Sequence, residues 1–153
     1  MTLHVVQSTA ADAYSLAPYL RQADRNECMA AAGHEPLEAL KIGYEASEDP
    51  QTVLENGHPI AMFGVVRLAP GVGAPWLLGS GRVEERWFSF ARRSRDEFAR
   101  VREPWAYLTN FCDERNILHQ RWLIWLGADM AERVPHYGVG QLPFWRFEFT
   151  KES

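Results

Sequence analysis

The chain has 153 residues, of which 46% are hydrophobic and 24% are charged. This length suits a single domain covering residues 1–153, and the composition is that of a globular protein rather than a disordered or fibrous one. A net charge of −4 and a sequence pI near 5.7 provide no general attraction to nucleic acid or to anionic membranes.

The chain begins with a predicted strand followed by short helices. Leu3–Gln7 is rich in β-branched residues, and the Ser8-Thr9 pair after it suits a helix N-cap. Pro18 should divide the helix that begins there into two short pieces. We therefore expect one strand and two short helices at the start of the chain.

The next segment predicts two further helices. Asp24 and Glu27 have the spacing of a capping box at the start of one helix, and Gly33 suits the end of that helix. Pro36 opens the second helix, which should run to about Ala46.

From residue 52 the hydrophobic period changes to that of strands. Asn56-Gly57 joins Thr52–Glu55 to Pro59–Leu68 and predicts a type I′ hairpin. The glycines and prolines of Ala69–Pro75 predict a loop, and a short strand should follow at Trp76–Leu78.

The second half of the chain alternates helices and strands. A long helix is predicted over Val83–Val101 and must stop before Pro104, and a second helix is predicted over Glu114–Leu126. The predicted strands are Trp105–Phe111, Ala128–Val134 and Leu142–Thr150. This order predicts an α/β (α+β) protein with a mixed sheet flanked by helices.

The segment from Asn116 to Ala128 carries a family resemblance. An Asn opens the predicted helix, an apolar ridge runs along it, and Gly127 leads into the next strand. This segment resembles the last helix of GNAT acyltransferases, which implies a mixed, mostly antiparallel sheet. In that family a Tyr commonly lies seven residues after the Asn and acts as general acid toward the departing coenzyme A thiolate. That position is Leu123 here, and a hydrocarbon cannot donate a proton.

The chain also resembles the internal virion proteins of short-tailed phages, a family described as GNAT-like. The matching residues are Glu27, Gly33, Glu35, Pro36, Gly57, Pro59, Ala61, Gly64, Trp87, Asn116, His119, Arg121, Leu123, Gly127 and Ala128. The resemblance implies a phage or prophage protein in the virion or in the cytoplasm of the bacterial host, with other phage structural proteins as partners. It does not imply catalysis.

A coenzyme A pyrophosphate would bind backbone N–H groups at a helix N-terminus. The candidate residues are Gly79, Ser80, Gly81 and Arg82, but their glycines do not follow the order that is usual in GNAT enzymes. Glu84 and Glu85 in the following turn would repel a phosphate. We therefore expect no bound cofactor, or acetyl-CoA if the chain is an enzyme.

Two residues are candidate general bases. His119 suits the removal of a proton from an amine, although a His in the first turn of an amphipathic helix is more often a packing residue. Glu55 beside the Asn-Gly turn could serve if the hairpin faces a cleft, although exposed hairpin carboxylates are common. Asn116 is explained fully as the N-cap of its helix.

Two further residue types are candidates for binding roles. Trp76 and Trp145 fall less clearly on apolar faces than the other tryptophans and could form an exposed protein-interaction patch. Cys28 and Cys112 belong to no zinc-ligand spacing, so we expect reduced, partly buried thiols and no metal site.

Two functions remain open from the sequence. The first is an assembly or structural protein of a phage particle with a degenerate acetyl-CoA site, which Leu123 and the irregular glycine loop favour. The second is an active acetyl-CoA-dependent N-acyltransferase in which another group replaces the missing Tyr. A nucleic-acid-binding module and a membrane protein are disfavoured by the acidic balance and by the absence of a run of about 20 apolar residues.

Overall fold

Seven strands form one sheet in the order β1-β2-β3-β4-β5-β7-β6 in the computed structural model, which describes residues 2–151. The strands are β1 Leu3–Gln7, β2 Gln51–Glu55, β3 His58–Ala69, β4 Val72–Gly79, β5 Tyr107–Asp113, β6 Asp129–Tyr137 and β7 Leu142–Phe149. The helices are α1 Ala10–Leu16, α2 Gln22–Ala32, α3 Pro36–Ala46, α4 Arg82–Glu85, α5 Trp87–Arg102 and α6 Ile117–Leu126. The predicted mixed α/β architecture is confirmed.

The capping and turn signals of the first third act as predicted. Thr9 and Asp12 form a capping box at α1, and the chain passes into a short 3-10 turn at Ala17–Tyr19, where Pro18 prevents a continuous helix. Gly33 ends α2 with a φ of +72°, a left-handed conformation that a side chain would strain.

The β2–β3 hairpin is confirmed, with positive φ at both Asn56 and Gly57. The predicted loop at Ala69–Pro75 is wrong, because β3 runs to Ala69 and β4 already begins at Val72. Gly73 belongs to β4 because its missing side chain makes room for a neighbour: a Cβ there would lie 2.3 Å from Val65 Cγ1.

The predicted helix over Val83–Val101 is interrupted at Arg86, which separates the single turn of α4 from α5. Helices α5 and α6 cover one side of the sheet, where Phe90, Phe98, Trp122 and Leu123 belong to the larger core. Helices α1 and α3 share a second core with β3 and β4. None of the helices within residues 2–151 combines the length and apolar character needed to cross a bilayer.

Strands β4 and β5 are the parallel pair of this sheet, and their register comprises only Val72 with Tyr107 and Gly73 with Leu108. Their pairing therefore stops near the start of both strands, and the strands diverge toward Gly79 and Asp113. Side chains of α2 and α6 meet at this divergent end, where the candidate site lies.

Candidate functional site

A buried polar cluster lies where α2 and α6 meet the end of β4. It contains Arg21, Asp24 and Glu27 at the start of the chain and Asn116 and His119 at α6. The predicted capping box of Asp24 and Glu27 is wrong: α2 begins at Gln22, so both residues lie inside the helix. Their carboxylates bind groups on other elements instead.

Asp24 joins α2 to both β4 and α6. Its carboxylate accepts hydrogen bonds from Arg21 Nη1 at 2.9 Å, from the Gly79 amide at 2.8 Å and from Asn116 Nδ2 at 2.8 Å. Burial raises the pKa of Asp24, and the positive charge of Arg21 opposes that rise only in part. Asp24 therefore holds the divergent end of β4 against α2 and α6.

Glu27 and His119 form a second pair beside it. Glu27 Oε2 lies 3.1 Å from His119 Nδ1, and Glu27 Oε1 accepts from Asn116 Nδ2 at 3.0 Å and from the Asp113 amide at 3.2 Å. These bonds fix the carboxylate. The Asn116 side chain also accepts the His119 amide, so the predicted N-cap is confirmed.

The imidazole of His119 is almost fully enclosed. Burial on its own lowers the pKa of His119, but the adjacent Cys112 and Glu27 side chains raise it. The resulting pKa lies well above the ordinary value for His. Burial raises the pKa of the Cys112 thiol to about 11. The Glu27 carboxylate beside Nδ1 favours the charged form of the imidazole. Among the described residues, His119 Nε2 has no hydrogen-bond partner.

His119 stands between two cavities of different size. A pocket of about 260 Å³ has Glu27 and His119 on one wall and aromatic residues on the others, namely Trp76, Phe111, Tyr137 and Phe144. A cavity of only about 10 Å³ separates the end of β4 from α6, and His119 and Leu77 line both spaces. The His119 side chain therefore contributes to the walls of both spaces.

The candidate phosphate loop is already engaged by protein atoms. The amide of Gly79 donates to Asp24, that of Ser80 to the Ile60 carbonyl at 2.8 Å, and that of Arg82 to Ser80 Oγ at 3.2 Å. A Cβ at Gly81 would have no atom within 4 Å, so this position is open. In this conformation the three bonded amides are not free to bind phosphate.

Glu55 lies in an ion-pair network rather than beside His119 in the polar cluster. Both oxygens of its carboxylate bind Arg82, at 2.7 and 2.9 Å, and Arg86 lies 3.1 Å away. The bond to Arg82 lowers the pKa of Glu55, which makes it a weaker base than an ordinary Glu. Arg82 also pairs with Glu85, so its charge is largely neutralised within the protein. Glu55 therefore stabilises α4.

Trp76 and Trp145 are both partly buried, whereas the interaction patch considered for them requires both to be exposed. Trp76 Nε1 donates to Ser47 Oγ at 2.7 Å, and its ring lines the 260 Å³ pocket. The exposed aromatic side chains include Phe88 of α5 and Trp125 of α6, which line a common pocket.

Glu27 and Cys112 are the site residues that sequence reasoning misses. The sequence pattern explains Glu27 as a capping residue and Cys112 as a partly buried thiol. The contact between Glu27 and His119 has no local signature, because the two residues are 92 positions apart. The available hint is the i, i+3 placement of Asp24 and Glu27, which puts both carboxylates on one face of α2.

The fold is that of GNAT acetyltransferases. Ard1 from Thermoplasma volcanium has a TM-score of 0.74 with this chain at 10% identity, over 97% of each chain. AAC(6')-Ib, solved in complex with ribostamycin and coenzyme A, has a TM-score of 0.70 at 13% identity, over 99% of this chain and 95% of that chain. A GNAT-family acetyltransferase from Bacillus anthracis has a TM-score of 0.68 at 8% identity, over 100% of this chain and 97% of that chain.

No protein-family model and no curated protein sequence matches this chain. Identities of 8–13% establish the fold alone. The predicted GNAT-like sheet is confirmed, whereas the relation to phage virion proteins stays a prediction.

Proposed function

We propose that this chain is an N-acyltransferase that takes its acyl group from an acyl-CoA. The observation that carries the proposal is the Glu27–His119 pair, which lies at the divergent end of β4 and β5 and borders both the larger pocket and the narrow cavity. The fold supports the reaction class, and one neighbour in that fold was solved with coenzyme A. Because Leu123 stands where GNAT enzymes commonly have a proton-donating Tyr, another group must protonate the departing thiolate.

The larger pocket suits an amine on an apolar body. Its aromatic walls, which include stacked Phe111 and Tyr137 rings 4.2 Å apart, favour a flat or apolar acceptor. Glu27 and His119 add polar groups to one wall of this pocket, where the amine of the acceptor could bind. We therefore expect a small primary amine attached to an aromatic or aliphatic group as the acceptor.

His119 and Glu27 together can hold and transfer one proton. Acyl transfer from a thioester to an amine releases a proton from the amine, and the thioester supplies a leaving group that needs one. His119 Nδ1 lies 3.1 Å from Glu27 Oε2, and the buried Nε2 has no partner among the described residues, so proton exchange through the ring requires a bound group to reach Nε2. Leu123 lies 1% exposed in the core and has no part in this exchange.

The narrow space between β4 and α6 does not admit an acyl donor in this conformation. The space between β4 and α6 is about 10 Å³, roughly one water molecule. Arg21 pairs with Glu84 at 2.8 Å and closes this space from the side of α2. The Gly79 amide already donates its hydrogen bond to Asp24. Binding of coenzyme A between β4 and α6 therefore requires the Arg21–Glu84 contact to open.

Calorimetric titration with coenzyme A tests the proposal. Glu84→Gln removes the bridge to Arg21. Glu84 is 58% exposed, and a pair with one partner at the surface is worth about 1 kcal/mol, so affinity should rise by about fivefold. Glu85→Gln is the matched control, because it removes the same charge from the same helical turn but leaves the bridge intact. Micromolar binding that strengthens in Glu84→Gln more than in Glu85→Gln supports the proposal.

A second candidate is a GNAT-like protein without catalysis, such as a structural or assembly protein of a phage particle. The occupied amides of Gly79, Ser80 and Arg82 and the buried Leu123 favour it. Under this alternative, neither the wild type nor Glu84→Gln binds coenzyme A at millimolar concentration. That result would contradict the acyltransferase proposal.

A further inference from the structure

A second kind of site is built from the same part of the molecule. Glu27 of α2, Cys112 of β5 and His119 of α6 each offer one possible metal-ligand atom, and these atoms lie within 4.8 Å of one another. Glu27 Oε2 is 3.1 Å from His119 Nδ1, and Glu27 Oε1 is 3.9 Å from Cys112 Sγ. All three side chains are at most 12% exposed.

The three ligand types select a particular class of cation. Zinc binds thiolate, imidazole and carboxylate groups at about 2.0 to 2.3 Å, and tetrahedral ligands at such distances lie about 3.3 to 3.7 Å apart. From Glu27 Oε1, the distances to His119 Nδ1, 3.3 Å, and to Cys112 Sγ, 3.9 Å, lie within a few tenths of an ångström of that range. Magnesium and calcium prefer oxygen ligands and do not suit a thiol.

We propose that Glu27, Cys112 and His119 form a zinc site. The cation takes the place of the proton that His119 shares with Glu27 and of the thiol proton of Cys112, and both protons pass to solvent. No oxidation or reduction is involved. Three protein ligands leave one coordination position for water or a ligand.

The surroundings of the three side chains support this assignment. Asn116 Nδ2 and the Asp113 amide hold Glu27 Oε1 in place, which is the kind of outer contact that orients a metal ligand. Glu27 and His119 line the 260 Å³ pocket, which provides a route from the surface. The sequence-based expectation of no metal site rests on the spacing of Cys28 and Cys112, and spacing along the chain does not reveal ligands from three separate elements.

The zinc site and the acyltransferase proposal are independent in their tests. A bound cation and the shared proton compete for the same atoms, so the loaded site cannot transfer that proton. Cation binding is measured without any acyl donor, so failure of acyl transfer does not affect the result. Conversely, absence of a zinc site leaves the acyltransferase proposal intact.

The test uses the full chain, freed of metal with a chelator and titrated with Co²⁺, whose spectrum reports thiolate coordination. We expect one equivalent of Co²⁺ to produce a thiolate-to-cobalt charge-transfer band, and an equivalent of Zn²⁺ to remove it. Cys112→Ser should abolish the band, and His119→Gln should weaken binding by more than about 100-fold, since an outer contact alone is worth about 10- to 100-fold. Cys28→Ser is the matched control and should keep the band, because Cys28 is a free thiol outside the cluster.

Circular dichroism in chelator establishes that each variant is folded before titration. The absence of the band in folded wild type overturns the proposal, as does a band that persists in Cys112→Ser or that depends on Cys28. A band that requires Cys112 but not His119 overturns the ligand set. A second measurement is the zinc content after dialysis. One equivalent retained by wild type and lost from Cys112→Ser supports the site.

Discussion

Replacing Glu27 with Gln should destabilise the protein in a pH-dependent way. The substitution keeps the shape of the side chain, and its amide oxygen can still accept from Asn116 and from the Asp113 amide. It removes the anion beside His119, whose pKa is raised in the folded protein. A hydrogen bond to a charged group is worth about 1.5 to 3 kcal/mol, and this is the expected cost at about pH 6.

The corresponding change in melting temperature follows from the size of the chain. Unfolding entropy is about 2.1 cal/mol/K per residue, so 153 residues give about 0.3 kcal/mol/K, or about 3 °C for each kcal/mol. The melting temperature should therefore fall by about 5 to 9 °C at about pH 6. This shift is readily measured by calorimetry.

The sign of the pH dependence follows from the raised pKa of His119. The pKa of His119 is higher in the folded protein than in the unfolded protein, where it is about 6.5. The stabilisation that follows is fully present below this unfolded pKa and is lost as the pH rises through the folded pKa. The cost of Glu27→Gln should therefore be largest at about pH 6 and smaller at about pH 9. The measurement is urea unfolding of wild type and variant at both values.

Glu48→Gln provides the control for that experiment. Glu48 pairs with Arg67 at the surface, and Arg67 keeps its charge at both pH values, so this variant should change stability little and equally. A cost for Glu27→Gln that is the same at both values would refute the assignment of an imidazolium paired with a carboxylate.

Three further outcomes are expected. Ser94→Ala should cost about 1 to 3 kcal/mol in urea unfolding, because it leaves the buried Trp122 indole N–H without its acceptor at 2.9 Å; no change would show that the indole finds another partner. Gly73→Ala should lower the free energy of unfolding by about 1 to 3 kcal/mol, because the new Cβ clashes with Val65. Gly81→Ala, at an open position, should change it little. Equal effects of the two variants would contradict the packing described for β4. Zinc should suppress amine acylation and a chelator should restore it, and turnover that is unaffected by a cation bound at the proposed site would contradict competition for the shared proton.

Local signals in the sequence specify much of the fold. Asn116 and Gly127 mark the ends of α6 because a side-chain acceptor and a left-handed residue satisfy the backbone at each end of a helix. Asn56-Gly57 sets the β2–β3 hairpin for a similar local reason. These features need only a few neighbouring residues, so they can be read directly from the chain.

The site depends on contacts between distant segments and could not be read in the same way. Asp24 has the spacing of a capping residue, but its carboxylate binds Gly79, 55 positions away. Gly73 suggests a loop by composition, whereas its actual role is to admit Val65 within the sheet. Only the tertiary arrangement shows that Cys112 and Glu27 meet His119.

The most direct test of the acyltransferase proposal is the release of free thiol from acetyl-CoA in the presence of a panel of small primary amines. Wild type is compared with His119→Gln and with His136→Gln, which replaces an exposed His on β6 outside the polar cluster. We predict amine-dependent turnover in wild type and His136→Gln and a loss of about 10²- to 10⁴-fold in kcat for His119→Gln. Turnover that survives unchanged in His119→Gln, or its absence from wild type with every amine, would contradict the proposal.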